Sequence, residues 1–186
     1  NIKPIPIHGG SMRYYVRNEG QLIDKKISIK MIKLQKSEYE NGYDKKNTFL
    51  NYAKDVDITR INLMHLLKDI KKRNQTIVGY GASGRANTLI QYCNIDNEIL
   101  DYIIDDAPMK QGFYTPGSHL EIRSRNSLEE KLPDYILIFA WSFFSEIIEK
   151  NIQYLHKGVK FIIPLPEVKI IFSKSGKINE KIYTID

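Results

Sequence analysis

The stretch "TIVGYGASGRANTLIQYC", residues 76–93, constrains the fold more than any other part of the chain. A short apolar run ends in glycine, alanine and serine, then enters a helical pattern. Gly79, Gly81 and Gly84 stand in the spacing GxGxxG. The spacing gains weight because it follows a predicted strand and opens a predicted helix. Gly79 is expected to permit a tight turn, Gly81 to let a ligand approach the backbone, and Gly84 to let helix and strand pack closely. N–H groups at the helix start favour an anion. Ser83, Asn87 and Thr88 add side-chain donors. The candidate ligands are a dinucleotide cofactor, S-adenosylmethionine, a nucleotide-sugar, or none.

From residue 76 onward strand-like runs alternate with helical ones. They are "TIVGYG", a helix over 84–93, "ILDYIID", "LEIRS", a short helix around "SLEEKL", "DYILIFA", a helix over 142–156, and "KFIIPLP". Apolar runs this continuous imply strands buried on both faces, hence a mostly parallel sheet covered by helices. The expected fold class is α/β: a Rossmann-like, doubly wound, mostly parallel sheet, preceded by a β-hairpin and linker helices. The tail "VKIIFSKSGKINEKIYTID" reads as another hairpin turning at Ser175-Gly176.

Residues 4–17, "PIPIHGGSMRYYVR", read as strand, turn, strand. Ile5 and Ile7 alternate before Gly9-Gly10, and Met12, Tyr14 and Val16 after it. A hairpin alone is marginal in water, so this one is expected to pair with a sheet lying upstream. Residues 18–75 are polar, Lys-rich and largely helical in pattern. Asn41-Gly42 is expected to break the helix, and Ile61, Met64, Leu67 and Ile70 to form an apolar stripe. The expected division is a hairpin over 1–17, a helical linker over 18–75, and a domain over 76–186.

Composition limits the partners. The net charge of +6 would favour an anionic ligand, but Lys and Arg are dispersed, so nucleic acid is not an expected partner. One cysteine, Cys93, excludes an internal disulfide or a cysteine metal cluster and suits a reducing cytoplasm. No apolar run approaches the ~20 residues that span a bilayer, and "NIKPIPIHGG" lacks the charged-then-apolar pattern expected of a signal peptide. A start at Asn1 rather than methionine fits a piece of a longer protein.

Asp105 ends the second strand, about twenty residues after the loop, where an acid can accept bonds from ribose or sugar hydroxyls. The alternative is a solvated turn residue beside Asp106. A methyl-donor loop usually has an acid at the end of its first strand, but Ile77 and Val78 stand there. NAD fits the loop, yet nothing downstream forms a hydride-transfer pair. In "DDAPMKQGFYTPGSHLEI", residues 105–122, the prolines and glycines forbid a long helix. Lys110 can neutralise a phosphate, Gln111 can read a base or sugar edge, and Tyr114 can stack. His119 at a strand start, and Trp141 as a cap on the sheet, also fit structural roles.

Several blocks together resemble a known family. "PIPIHGGSMRYYV", "GYGASGRANTLIQYC", "DDAPMKQGFYTPGSHLEI", "PDYILIFAWSFFSEI" and "FIIPLPEVKII" resemble the C-terminal part of the sugar C-methyltransferases. The blocks cover about half the chain, and their shared order makes the likeness specific. The chain departs from the pattern at Arg85-Ala86, where Lys-Gly is common, and at Ser142, where Asn is common.

The resemblance implies a three-part enzyme that takes a proton from beside a keto group of a nucleotide-linked deoxysugar. The enolate then attacks the methyl of S-adenosylmethionine. It implies a zinc-binding region and a methyl-donor domain upstream, so this chain is expected to hold no cofactor, no metal and no catalytic residue. The Tyr-Asp-Glu-His motif of the general base is absent here. The implied substrate-binding set is His8, Gly9, Gly10 and Ser11 from the hairpin, and Gly79, Tyr80, Gly81, Ala82 and Ser83 from the loop. Asn87, Thr88, Asp105, Lys110, Gln111, Tyr114 and His119 complete it. The implied partners are the nucleotide-sugar and the upstream methyl-donor domain, with no membrane. Two other classes compete: a Rossmann-like structural module that binds nothing, and an NAD-dependent oxidoreductase domain.

Overall fold

A computed structural model describes residues 1–7, 10–16, 18 and 28–185. Compactness divides the chain into two units, Asn1–Val56 and Asp57–Asp186.

In the first unit, β1 (Ile2–Ile5) pairs antiparallel with β2 (Ser11–Tyr14), Ile2 opposite Tyr14 and Ile5 opposite Ser11. Helix α1 (Ile29–Glu40) starts at Ser28, whose hydroxyl accepts from the Met31 N–H at 3.3 Å. That bond satisfies one of the free donors at a helix start. The helix stops at Asn41, and Gly42 takes a φ of +68° in the turn that follows. Both residues stand at the expected break.

Helix α2 (Lys46–Lys72) runs across the division. Its buried row is Leu63, Leu66, Leu67 and Ile70. The expected stripe is therefore corrected: Ile61 is 51% exposed and Met64 half-buried. The reason is geometric. Steps of three residues rotate round an α-helix by about 60° each, so Ile61 has left the face that Ile70 occupies. The spacing i, i+3, i+4, i+7 stays on it.

The second unit holds β3 (Ile77–Tyr80), α3 (Gly84–Cys93), β4 (Ile103–Ile104), β5 (Ile122–Arg123) and α4 (Ser127–Glu130). These are followed by β6 (Tyr135–Ile138), α5 (Phe144–Lys150), α6 (Ile152–His156), β7 (Lys160–Ile163), β8 (Lys169–Lys174) and β9 (Lys177–Ile182). They build a seven-stranded sheet in the order β5-β4-β3-β6-β7-β8-β9. The five strands from β5 to β7 are parallel; β8 and β9 are antiparallel. The β8–β9 turn is Ser175-Gly176, both at positive φ, as a tight hairpin requires.

Alternation along the strands sorts the core by face. Ile77, Ile103, Leu137 and Phe139 pack with Leu63, Leu67 and Ile70 of α2 and with Ile90 of α3. Val78, Tyr80, Ile104, Ile136, Ile138 and Phe161 pack with Leu128 of α4, Ile147 and Ile148 of α5, and Leu155 of α6. Both faces are covered over the parallel strands, which is why those strands read as continuous apolar runs.

The single helix expected over 142–156 is corrected. A one-turn 3₁₀ helix, Trp141–Phe143, precedes α5, and the chain breaks again at Asn151. Asn151 is fully buried, and its amide donates to the Ile147 carbonyl at 2.7 Å. An Asn side chain that bonds nearby backbone competes with the helix ladder. Among the described residues no helix is long and apolar enough to cross a membrane.

Candidate functional site

Strand order turns back at β3. The chain leaves β3 toward β4 on one side, while β6 and β7 lie on the other. Their loops diverge at the carboxyl ends of the strands, where α/β sheets bind ligands. The glycine loop lies there, between β3 and α3.

The three glycines do work other than that expected of them. Gly79 lies inside β3, not in a turn. A Cβ there would come 2.7 Å from Phe139 Cε2 and 3.0 Å from Ile103 Cγ1, so this glycine makes room for the core. Gly81 makes the turn: its φ is +96°, and its N–H donates to the Ile104 carbonyl at 2.7 Å. It does not open the backbone to a ligand, because a Cβ would meet Ala140 Cβ at 3.2 Å. Gly84 does not pack on the sheet: apart from its chain neighbours and its own helix backbone, no atom of the described residues lies within 4 Å of the Cβ position. The open approach to the loop is therefore at Gly84.

Ser83 caps α3, its hydroxyl accepting from the Ala86 N–H at 3.2 Å. The Gly84 and Arg85 N–H groups have no acceptor among the described residues. They are the free donors of this helix start. Thr88 turns back on the helix, its hydroxyl donating to the Gly84 carbonyl at 3.1 Å. Asn87 Oδ1 is buried with no hydrogen-bond partner among the described residues.

Asp105 is only 8% exposed, and both its oxygens are in use. Oδ2 accepts from the Ala82 N–H at 2.8 Å and from Lys110 Nζ at 3.0 Å. Oδ1 accepts from the Ala107 N–H at 2.9 Å. Lys110 also donates to the Ala82 carbonyl at 2.9 Å, and Gln111 Nε2 to the Asp105 carbonyl at 2.9 Å. These residues clasp the glycine loop to the loop after β4.

Tyr80 turns its side chain to the opposite face of the sheet. It is 5% exposed, and its hydroxyl donates to Asp106 Oδ2 at 2.9 Å. Burial, helped by the neighbouring Asp106 carboxylate, pushes its pKa up to about 12. Tyr80 thus offers the loop its backbone and not its ring. Lys150 of α5 donates to the same Asp106 oxygen at 2.5 Å. Burial alone would raise the Asp106 carboxyl, but the bonds from Lys150 and Tyr80 hold it below the usual value.

The loop after β4 displays apolar and aromatic groups: Met109, Phe113 and Tyr114 are all exposed. The Tyr114 ring lies 6.2 Å from that of His119, which sits at a φ of +52°. Of the hairpin residues, His8 and Gly9 lie outside the described residues. Gly10 and Ser11 belong to the first unit, where Gly10 N–H and the Ser11 hydroxyl both donate to the Ile7 carbonyl at 3.0 Å.

Three residues beside the loop are absent from the expected set. Arg85, in the first turn of α3, donates from Nη1 to Ser142 Oγ at 3.0 Å. Its guanidinium lies 5.6 Å from the Trp141 ring centroid, a cation–π contact. Arg85 and Ser142, two positions at which the sequence departs from the resembled pattern, thus touch each other. That pairing of departures was the available signal.

A cavity of about 320 Å³ lies at the far end of α3, lined by Arg60, Met64, Lys68, Cys93, Asn94 and Asp96 among others. Burial pushes the Cys93 thiol up to about 11, so it is inert as a nucleophile at neutral pH. Among the described residues no group of three or more His, Cys, Asp or Glu side chains is arranged to hold a metal ion.

Comparison with known proteins completes the description. A family described as "C-methyltransferase C-terminal domain" matches residues 6–166. The chain is also similar to C-methyltransferase NovU of Streptomyces niveus, 27% identical over 175 residues. That alignment covers 94% of this chain and 41% of the relative, so the chain spans less than half that protein's length.

Proposed function

The chain belongs to the C-methyltransferase C-terminal domain family, and from that premise we propose that it is the substrate-binding part of an S-adenosylmethionine-dependent C-methyltransferase. The substrate is a nucleotide-linked keto-deoxysugar. The methyl donor, any zinc and the catalytic base belong to parts of the protein outside these residues. This part is Rossmann-like in its use of the sheet: the glycine loop sits where the strand order turns back, and the ligand sits above it.

The observation that carries the reading is the state of the glycine loop. Gly84 is open, and the Gly84 and Arg85 amides are free to meet a phosphate oxygen. Tyr114 and Phe113, exposed on the neighbouring loop, offer aromatic surface for a base. Asp105 stands where a dinucleotide fold reads ribose hydroxyls, but its oxygens are spent on Ala82, Ala107 and Lys110. That disfavours NAD. Ile77 and Val78, both apolar and buried, disfavour a methyl-donor site.

A second reading has one observation in its favour. Asp105, Lys110 and Tyr80 are already bonded within the chain, as in a structural module that binds nothing. Thermal-shift titration separates the readings. A bound ligand raises the melting temperature in proportion to the logarithm of its concentration above Kd. Thymidine or uridine diphosphate should give a rise that grows with ligand concentration, absent in Gly81→Val, whose φ no valine adopts without strain. A shift with NAD or S-adenosylmethionine alone would overturn the proposal, and no shift with any of them would favour the structural module.

A further inference from the structure

Two cations stand beside the glycine loop, and their electrostatic states differ. Lys110, the residue expected to neutralise a phosphate, is itself neutralised: Asp105 Oδ2 lies 3.0 Å from its ammonium. A second of its three donors is spent on the Ala82 carbonyl. Arg85 has no carboxylate within 4.0 Å among the described residues, and one hydroxyl, Ser142 Oγ, takes one of its five N–H donors.

Arg85 is also held in place. Its Cζ lies over the Trp141 ring, 5.6 Å from the centroid, and Nη1 donates to Ser142 Oγ at 3.0 Å. Both partners sit on the loop after β6, so the side chain spans the two loops that diverge at the turning point of the strand order. An arginine fixed on a ring, uncompensated by acid, and left with a free fork of donors matches the geometry of a phosphate.

Building on the substrate-binding reading above, we propose that Arg85, and not Lys110, is the residue that binds the anionic phosphate of the substrate, oriented for it by Trp141 and Ser142. Trp141 and Ser142 are positioning residues. Lys110 belongs to the clasp that holds the loop.

The chain reports on this site directly, because Trp141 is its one tryptophan. The experiment is a Trp fluorescence titration of the 186-residue chain with inorganic pyrophosphate, then with uridine and thymidine diphosphate. Wild type is expected to show a saturable change with pyrophosphate. Arg85→Gln should weaken binding by about tenfold or more, the range for a lost charge-assisted hydrogen bond. Arg85→Lys should recover part of it, and Ser142→Ala should lose about twofold to fivefold through orientation alone. Arg85 is exposed and its bond to the half-buried Ser142 is a surface one, so all three variants should fold with nearly unchanged melting temperatures. No saturable change in wild type, or equal pyrophosphate affinity in wild type and Arg85→Gln, would overturn the inference. Nucleoside diphosphates bound equally by wild type and Arg85→Gln would overturn it while leaving the substrate reading intact. Pyrophosphate bound through Arg85, with no gain from either nucleoside, would sustain it and sink the nucleotide-sugar reading.

Discussion

Asp105 and Lys110 lie 3.0 Å apart and grip the same residue from two sides. The carboxylate accepts from the Ala82 N–H at 2.8 Å, and the ammonium donates to the Ala82 carbonyl at 2.9 Å. Ala82 is held through both peptide units that flank its Cα, so the shape of the glycine loop depends on a pair of side chains from the next loop. Asp105→Ala should cost about 2–4 kcal/mol, since it leaves the Ala82 and Ala107 amides without their acceptor and Lys110 without its counter-charge. Lys110→Met should cost about 1 kcal/mol, because both amides still satisfy Asp105. Urea denaturation of the two variants checks the order; equal costs would contradict the clasp.

The glycines should separate on substitution. Gly79→Ala should destabilise by about 1–3 kcal/mol, by forcing Phe139 and Ile103 aside. Gly81→Ala should cost at least about 1 kcal/mol from its φ of +96°. Gly84→Ala should be neutral or stabilise by up to about 1 kcal/mol, since it meets nothing and begins a helix. Thermal unfolding of the three variants measures this. Gly84→Ala should also weaken nucleotide binding, because its methyl enters the open approach.

Acid stability should carry the mark of Asp106. Its folded-state pKa is lowered from 3.8, because the bonds from Lys150 and Tyr80 outweigh the burial that opposes them. The carboxylate therefore stabilises the fold fully above its unfolded pKa, and that contribution is lost as pH falls below it. Unfolding free energy followed from about pH 6 to about pH 3 should fall less steeply in Asp106→Asn than in wild type. Parallel curves would show that the bonds confer no net preference for the ionised form.

The face of α2 gives a packing prediction. Leu67→Ala should cost about 2–5 kcal/mol, because the side chain is fully buried. Ile61→Ala should cost under about 0.5 kcal/mol, because Ile61 is half-exposed. Denaturant midpoints of the two variants decide whether the buried row is the one described.

Much of this architecture was legible before any coordinate. The apolar run "TIVGYG" and the helical pattern over 84–93 mark β3 and α3 by local chemistry alone. Ser175-Gly176 marks the last hairpin in the same way. The break at Asn151 was not legible, because its neighbours carry a helical pattern and only burial turns its amide onto Ile147. The three glycine roles were misassigned for a related reason. A spacing says where glycine stands, but whether it serves Phe139, a turn or a ligand depends on atoms remote in sequence. Asp105 was placed at the right strand end, yet its bond to Ala82 arises only when β3 and β4 pair. Arg85 stands out in the sequence only as a departure from the resembled pattern, because its partners, Trp141 and Ser142, follow a strand that sequence order does not place beside it.

The central claim is that this chain binds the nucleotide end of the substrate and not the methyl donor. Calorimetric titration with thymidine diphosphate, uridine diphosphate and S-adenosylmethionine tests it most directly. The account predicts saturable heat with a nucleoside diphosphate and none with S-adenosylmethionine. Saturable binding of S-adenosylmethionine, with no binding of either nucleotide, would contradict it.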